Sequence, residues 1–181
     1  ILLNLKGERF CNELGTRQYV VDKMNEQIKI QKESKFIILL NENSIKNISS
    51  HKNHYITNKL INKVDNGSIL ANKLNISQNN LKQLFLNYNA DAKKKKDEFG
   101  KIIFNSTFNM NDVFYYGYVT PVIHYCMGGL QITENCEVLN NKGIIKNLYA
   151  AGEVTSGLHG SNRLGGRIHT VYEKEFSMKR F

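Results

Sequence analysis

Proline is almost missing from this chain. Pro121 is the only one in 181 residues, so the breaks between extended segments fall to glycine and asparagine. Cysteine is scarce too. Cys11, Cys126 and Cys136 are odd in number and lack metal-ligand spacing. That pattern excludes a zinc-type framework and favours free thiols in a reducing compartment, cytoplasmic or mitochondrial. Cys126 reads as a small buried thiol rather than a nucleophile. No apolar run approaches the roughly 18–20 residues of a membrane span. No basic segment leads into a long apolar stretch as in a signal peptide. The chain opens Ile1-Leu2-Leu3-Asn4 rather than with Met, from which a missing N-terminal part is expected. Gly-x-Gly-x-x-Gly, Gly-x-x-x-x-Gly-Lys-Ser/Thr and a Ser-centred nucleophile elbow are all absent, and no internal repeat is visible.

Arginine is the scarce base. Of 25 basic residues against 16 acidic, only 5 are Arg and 20 are Lys, beside 24 Asn. A joint excess of Lys and Asn follows from A-rich codons. The net charge of +9 is therefore mostly background, not the footprint of a nucleic-acid partner. The one dense basic run, 93–96, is followed at once by Asp97 and Glu98, as at a solvated helix end or loop.

The residues that are present divide the chain in two. Leu2 and Leu3, then Lys6-Gly7-Glu8-Arg9-Phe10, read as a strand end, a turn and a second short extended piece. Thr16 is placed to cap a helix in which Val20, Val21, Met24 and Ile28 recur at helical spacing. Phe36-Ile37-Ile38-Leu39-Leu40 is apolar throughout, the pattern of a buried strand. Residues 44–74 are polar, Asn-rich and weakly periodic, with one helix expected over 54–64. His51 and His54 fall here and read as solvated. Ser77 is the expected cap of a clearer helix whose face carries Leu81, Leu84, Phe85 and Tyr88. Composition changes near Phe108. Beyond it, strands are expected over 113–119, 129–133, 137–139 and 148–151, with turn chemistry in Asn140-Asn141-Lys142-Gly143. The fold class is α+β, helical over 1–108 and β-rich over 109–181.

Glycines alternate with isolated His and Arg in the last third. Thr120-Pro121-Val122-Ile123-His124-Tyr125-Cys126-Met127-Gly128-Gly129 is followed by Leu148-Tyr149-Ala150-Ala151-Gly152-Glu153-Val154. Leu158-His159-Gly160-Ser161-Asn162-Arg163-Leu164-Gly165-Gly166 comes next. Glycine permits close backbone approaches that other residues forbid. A buried cofactor, or a small dianion with a cation nearby, requires such approaches. His124 is either a core histidine satisfied by a carbonyl or a ligand-binding imidazole. Arg163 is either a planar fork on a carboxylate or phosphate, or half of a structural ion pair. Glu153, just past an expected strand, stands where an open α/β sheet presents groups to a ligand, and its carboxylate could accept from ribose hydroxyls. His159 and Cys126 do not form a metal site on spacing, and no metal is expected.

With the opening Leu2-Leu3-Asn4-x-x-Gly7-x-Arg9-Phe10-x-Asn12-Glu13-x-x-Thr16-Arg17, these three motifs resemble the fumarate reductase and succinate dehydrogenase flavoproteins. The nearer likeness is to the soluble single-chain fumarate reductases, the NADH-dependent eukaryotic kind among them. It covers both ends of the chain, with a weaker match around 81–100. The resemblance implies a partial capping domain over 1–108. It also implies the C-terminal β-rich part of a Rossmann-like FAD-binding domain over 109–181, the N-terminal half being absent. FAD is the implied cofactor and fumarate or succinate the implied substrate, with no membrane span. The electron donor stays open between NADH and a fused or partner reductase domain.

By the same resemblance Arg17 is the proton donor, and His124 and Arg163 bind a substrate carboxylate. Gly166 touches substrate through its backbone, while Tyr125 and Glu153 contact FAD. Urocanate reductase-like and L-aspartate oxidase-like flavoproteins share this frame, and a non-catalytic remnant would keep the motifs as well. The match stops after Gly166. Arg167-Ile168-His169-Thr170 stands where the family continues with Asn, a small residue and an apolar helix. An isolated chain of this extent is expected to hold FAD weakly or not at all and to turn over no substrate.

Overall fold

The computed structural model of the chain describes residues 1–46, 49–122, 128–152 and 154–156. Two compact units are present, Ile1–Val122 and Ile123–Phe181. The first holds β1 (Leu2–Leu3), α1 (Arg17–Gln31), β2 (Phe36–Asn41), α2 (Glu42–Ile45) and α3 (Ser49–Thr57). It continues with β3 (Asn62–Val64), α4 (Gly67–Leu74), α5 (Gln78–Lys94) and β4 (Phe114–Val119). The second holds β5 (Glu137–Asn140) and β6 (Gly143–Tyr149). The class is mixed helix and sheet.

The first unit is organised by a four-stranded antiparallel sheet in the order β1-β2-β4-β3. β2 and β4 run opposite each other from Phe36↔Val119 to Asn41↔Phe114. β2 is apolar at successive positions because both of its faces are covered. Ile37 and Leu39 join Leu70, Leu74, Leu81, Phe85 and Tyr88 in the main core. Phe36 instead packs with Leu2, Phe10, Cys11 and Met24. Full burial of each such side chain contributes roughly 1.5–3 kcal/mol. Phe85 stacks on Phe108 and Phe114, with centroids at 5.4 and 5.3 Å.

α1 begins where its cap is expected. The Thr16 hydroxyl accepts from the Tyr19 N–H at 3.3 Å, satisfying one of the helix's orphan donors. Met24 is buried, and Tyr19, Val20 and Ile28 lie partly buried beside it. The helix stops at Lys32, whose left-handed φ of 61° turns the chain toward β2. The basic run at 93–96 closes α5 and is solvent-exposed, as its sequence suggests.

Residues 44–74 differ from the single helix expected over 54–64. α3 ends earlier, where the Asn58 side chain donates to the His54 carbonyl at 2.8 Å and Lys59 takes φ 55°. Residues 62–64 then pair with Phe114–Tyr116 of β4, a tertiary partner that overrides weak local preference. Two further helices start at asparagine caps. The Asn41 side chain accepts from Ser44 N–H at 3.0 Å and that of Asn66 from Ile69 N–H at 2.9 Å. Ser77 sits at the expected N-cap of α5, but its hydroxyl makes no capping bond. The composition change near Phe108 falls inside the first unit, because β4 lies within its sheet.

In the second unit, β5 and β6 form an antiparallel hairpin closing at Asn140↔Gly143. Asn140 Oδ1 accepts from the Lys142 N–H at 2.8 Å, and Gly143 takes φ 113°. Residues 129–133 do not make the full strand expected. They contribute isolated bridges, Ile132↔Val138 antiparallel and Leu130↔Thr155 parallel.

Candidate functional site

Arg17 is the first residue of α1 and is exposed. A cation at a helix N-terminus faces the positive end of the helix dipole, and no acidic residue of the first turn offsets it. The Arg17 side chain makes no hydrogen bond or ion pair with any described residue. It therefore does nothing evident for the fold where it stands.

The turn before it is closely fixed. Asn12 Oδ1 accepts from Leu14 N–H at 3.0 Å, and Asn12 O accepts from Gly15 N–H at 2.9 Å. The Tyr19 ring covers Gly15, where a Cβ would come within 2.5 Å of the Tyr19 Cδ1. Tyr19 Oη accepts from Asn12 N–H at 3.4 Å. Glycine is required at this position by that contact.

Beside the turn lies a buried charge cluster. Arg9 Nη2 meets Asp97 Oδ2 at 2.6 Å and Glu13 Oε2 at 3.3 Å. Lys101 Nζ meets Glu13 Oε1 at 2.6 Å and donates to Tyr88 Oη at 3.0 Å. Asp97 is fully buried, and its Oδ1 accepts from the Phe99 and Lys101 N–H groups. Two cationic side chains thus meet two carboxylates, with aromatic faces closing the sides. The Arg9 guanidinium lies 5.2 Å from the Tyr88 and Phe99 centroids, and Lys101 lies 5.0 Å from Tyr88. Burial alone favours a neutral Glu13, but the Lys101 ammonium, hydrogen-bonded to it, draws its carboxyl below the usual range. Burial opposes the Arg9 charge, yet Asp97 and Glu13 outweigh it and raise its pKa. Nearby, burial pushes the Cys11 thiol up to about 11, so Cys11 is a poor nucleophile.

This cluster is not visible in the sequence. Glu13 and Lys101 are 88 positions apart, as are Arg9 and Asp97, and Lys101 passes for background charge. The available signal was Arg9 and Glu13 at i,i+4, in a chain where arginine is rare.

In the second unit the structure joins two of the glycine motifs. Leu130 N–H donates to Val154 O at 2.8 Å, and Ser156 N–H donates to Leu130 O at 3.0 Å. Residues after Gly128-Gly129 and residues after Gly152 consequently lie side by side. A Cβ at Gly129 would meet Val154 O at 2.5 Å, so glycine is needed for this approach. His124, Tyr125, Cys126, Glu153, Arg163 and Gly166 themselves lie outside the described residues. Of the predicted site residues the structure thus describes Arg17 alone. Among the described residues no His/Cys/Asp/Glu group could hold a metal ion, and no helix is long and apolar enough to cross a membrane.

Residues 1–168 match the family model described as FAD binding domain. A fumarate reductase of Schizosaccharomyces pombe is 37% identical over 169 residues, covering 92% of this chain and 32% of that protein. Fumarate reductase 1 of Saccharomyces cerevisiae is 33% identical, covering 92% of this chain and 37% of that protein. The solved open conformation of a flavocytochrome c3 fumarate reductase superposes with a TM-score of 0.70 at 29% identity. That likeness covers 97% of this chain and 31% of the solved one. The chain spans about a third of the length of these relatives. A match over 1–168, with FAD as the cofactor it implies, places the chain in the FAD binding domain family.

Proposed function

We propose that the chain forms the C-terminal part of an FAD-dependent fumarate reductase, in which Arg17 donates the proton that completes succinate. The observation that carries this reading is the exposed arginine at the start of α1, unpaired among the described residues and set behind a rigid turn. Its surroundings give it no structural task. Residues 1–108, with β4 completing their sheet, act in this reading as the capping domain that closes over substrate, and the chain beyond Val122 as the end of a Rossmann-like FAD domain.

FAD, when bound and reduced, supplies the hydride that adds to one alkene carbon of fumarate. His124 and Arg163 bind a carboxylate, with Gly166 touching substrate through its backbone, and Tyr125 and Glu153 hold the cofactor. Cations at the carboxylates polarise the alkene and stabilise the charge that develops as the hydride arrives. Arginine is a poor acid, with a pKa above about 12. A carbanion next to a carboxylate is far more basic, so the proton still moves downhill from the guanidinium to the second alkene carbon. Closure over the site excludes water and strengthens each of these interactions.

Replacing Arg17 with Ala in the complete protein tests the reading. Fumarate reduction per bound FAD should fall by about 10²–10⁴, the usual range for a general acid. Undiminished turnover in that variant would overturn it.

A further inference from the structure

We infer that Glu13 is a positioning residue for Arg17, tethering the 12–16 turn to Lys101 and Arg9 so that the guanidinium starts from a fixed place. This rests on the reading of Arg17 as proton donor. The two carboxylate oxygens of Glu13 are divided between two cations, Oε1 to Lys101 at 2.6 Å and Oε2 to Arg9 at 3.3 Å. Each cation is itself anchored. Lys101 donates its backbone N–H to Asp97 Oδ1 at 2.7 Å and its ammonium to Tyr88, while Arg9 grips Asp97 Oδ2 at 2.6 Å.

The other bonds of the turn stay local. Asn12, Leu14, Gly15 and Thr16 bond only to one another or to α1 among the described residues. Glu13 is therefore the polar link from the turn to the end of α5 and the strand-free segment after it. A buried ion pair adds little net stability over a well-packed apolar replacement, so what this pairing supplies beyond stability is the position of the turn. Proton transfer is sensitive to that geometry, and a displacement of about 1 Å can cost roughly 100-fold in rate.

The test uses the complete protein, with kcat and KM for fumarate measured per bound FAD. Glu13→Gln should lower kcat by about 10- to 100-fold with KM nearly unchanged and FAD content retained. Because Glu13 acts through Arg17, Glu13→Gln added to Arg17→Lys should cost little beyond Arg17→Lys alone. Glu13→Asp keeps the charge but shortens the reach by one methylene, and should also lower kcat in a folded protein. A normal kcat in either variant, or losses that multiply in the double variant, overturns the tether. Failure of both variants to fold would assign Glu13 to stability and overturn it as well. Undiminished turnover of Arg17→Ala would instead refute the proton-donor reading, whatever Glu13 does.

Discussion

The two units differ in what holds them together. The first buries an apolar core on both faces of its sheet, with Leu3, Phe36, Leu39, Leu70, Leu81 and Phe114 fully enclosed. In the second, Val138 is the one buried hydrophobic residue among those described. Leu130, Ile144, Leu148, Tyr149 and Val154 are all exposed there. A two-stranded ribbon gains little from its own hydrogen bonds in water. The first unit therefore carries its stability in its own side chains, whereas the described ribbon buries little apolar surface of its own. Arg17, the expected proton donor, stands on the first unit, while the expected cofactor contacts Tyr125 and Glu153 flank the ribbon in sequence.

Truncation at matched sites gives the largest test of that contrast. Leu39→Ala in the first unit should destabilise by about 2–5 kcal/mol through lost burial and a residual cavity. Ile144→Ala on β6 should stay within about 0.5 kcal/mol. Native-state hydrogen exchange in the complete protein, read separately over 1–122 and 128–152, checks both. An equal cost at Ile144 would show that β6 is packed on a partner surface there, breaking the comparison.

Acid gives a smaller effect, confined to the first unit. Glu13 is held below its ordinary pKa of 4.5 in the folded state. Its contribution is then complete above about pH 4.5 and disappears as the pH falls through the depressed folded value. The stability gap between the native protein and Glu13→Gln should be widest above that pH and close on acidification. A gap that widened on acidification would contradict the depressed pKa.

Where local chemistry decided the structure, the sequence was readable. Thr16 and the Val20, Val21, Met24 and Ile28 spacing mark α1, and the apolar run from Phe36 marks β2. The Leu81, Phe85 and Tyr88 face marks α5 in the same way. Where distant partners decided, it was not. β3 exists because Asn62–Val64 finds β4, and α3 buries too little on one face to announce its limits. The site divides likewise. The position of Arg17 at the start of α1 follows from the Thr16 cap beside it, while its role rests on the resemblance alone; Glu13 and Lys101 meet only after the chain has folded.

The sheet order also sets a timetable. β4 lies between β2 and β3, so β2 has only β1 beside it and β3 has no partner strand until residue 119 has been made. At about 5–20 residues per second, synthesis leaves the open edges of β2 and β3 waiting for several seconds. Pairings of high sequence separation then form slowly, while unpaired edges invite aggregation. Ribosome-arrested chains that expose only residues before Phe114 should stay protease-sensitive, and those exposing residues past Val122 should gain resistance in one step. Resistance already present before Phe114 emerged would show that β1, β2 and the helices hold without their central strand. During that interval the nascent chain's chief hazard is another copy of itself, offering the same unmatched edge.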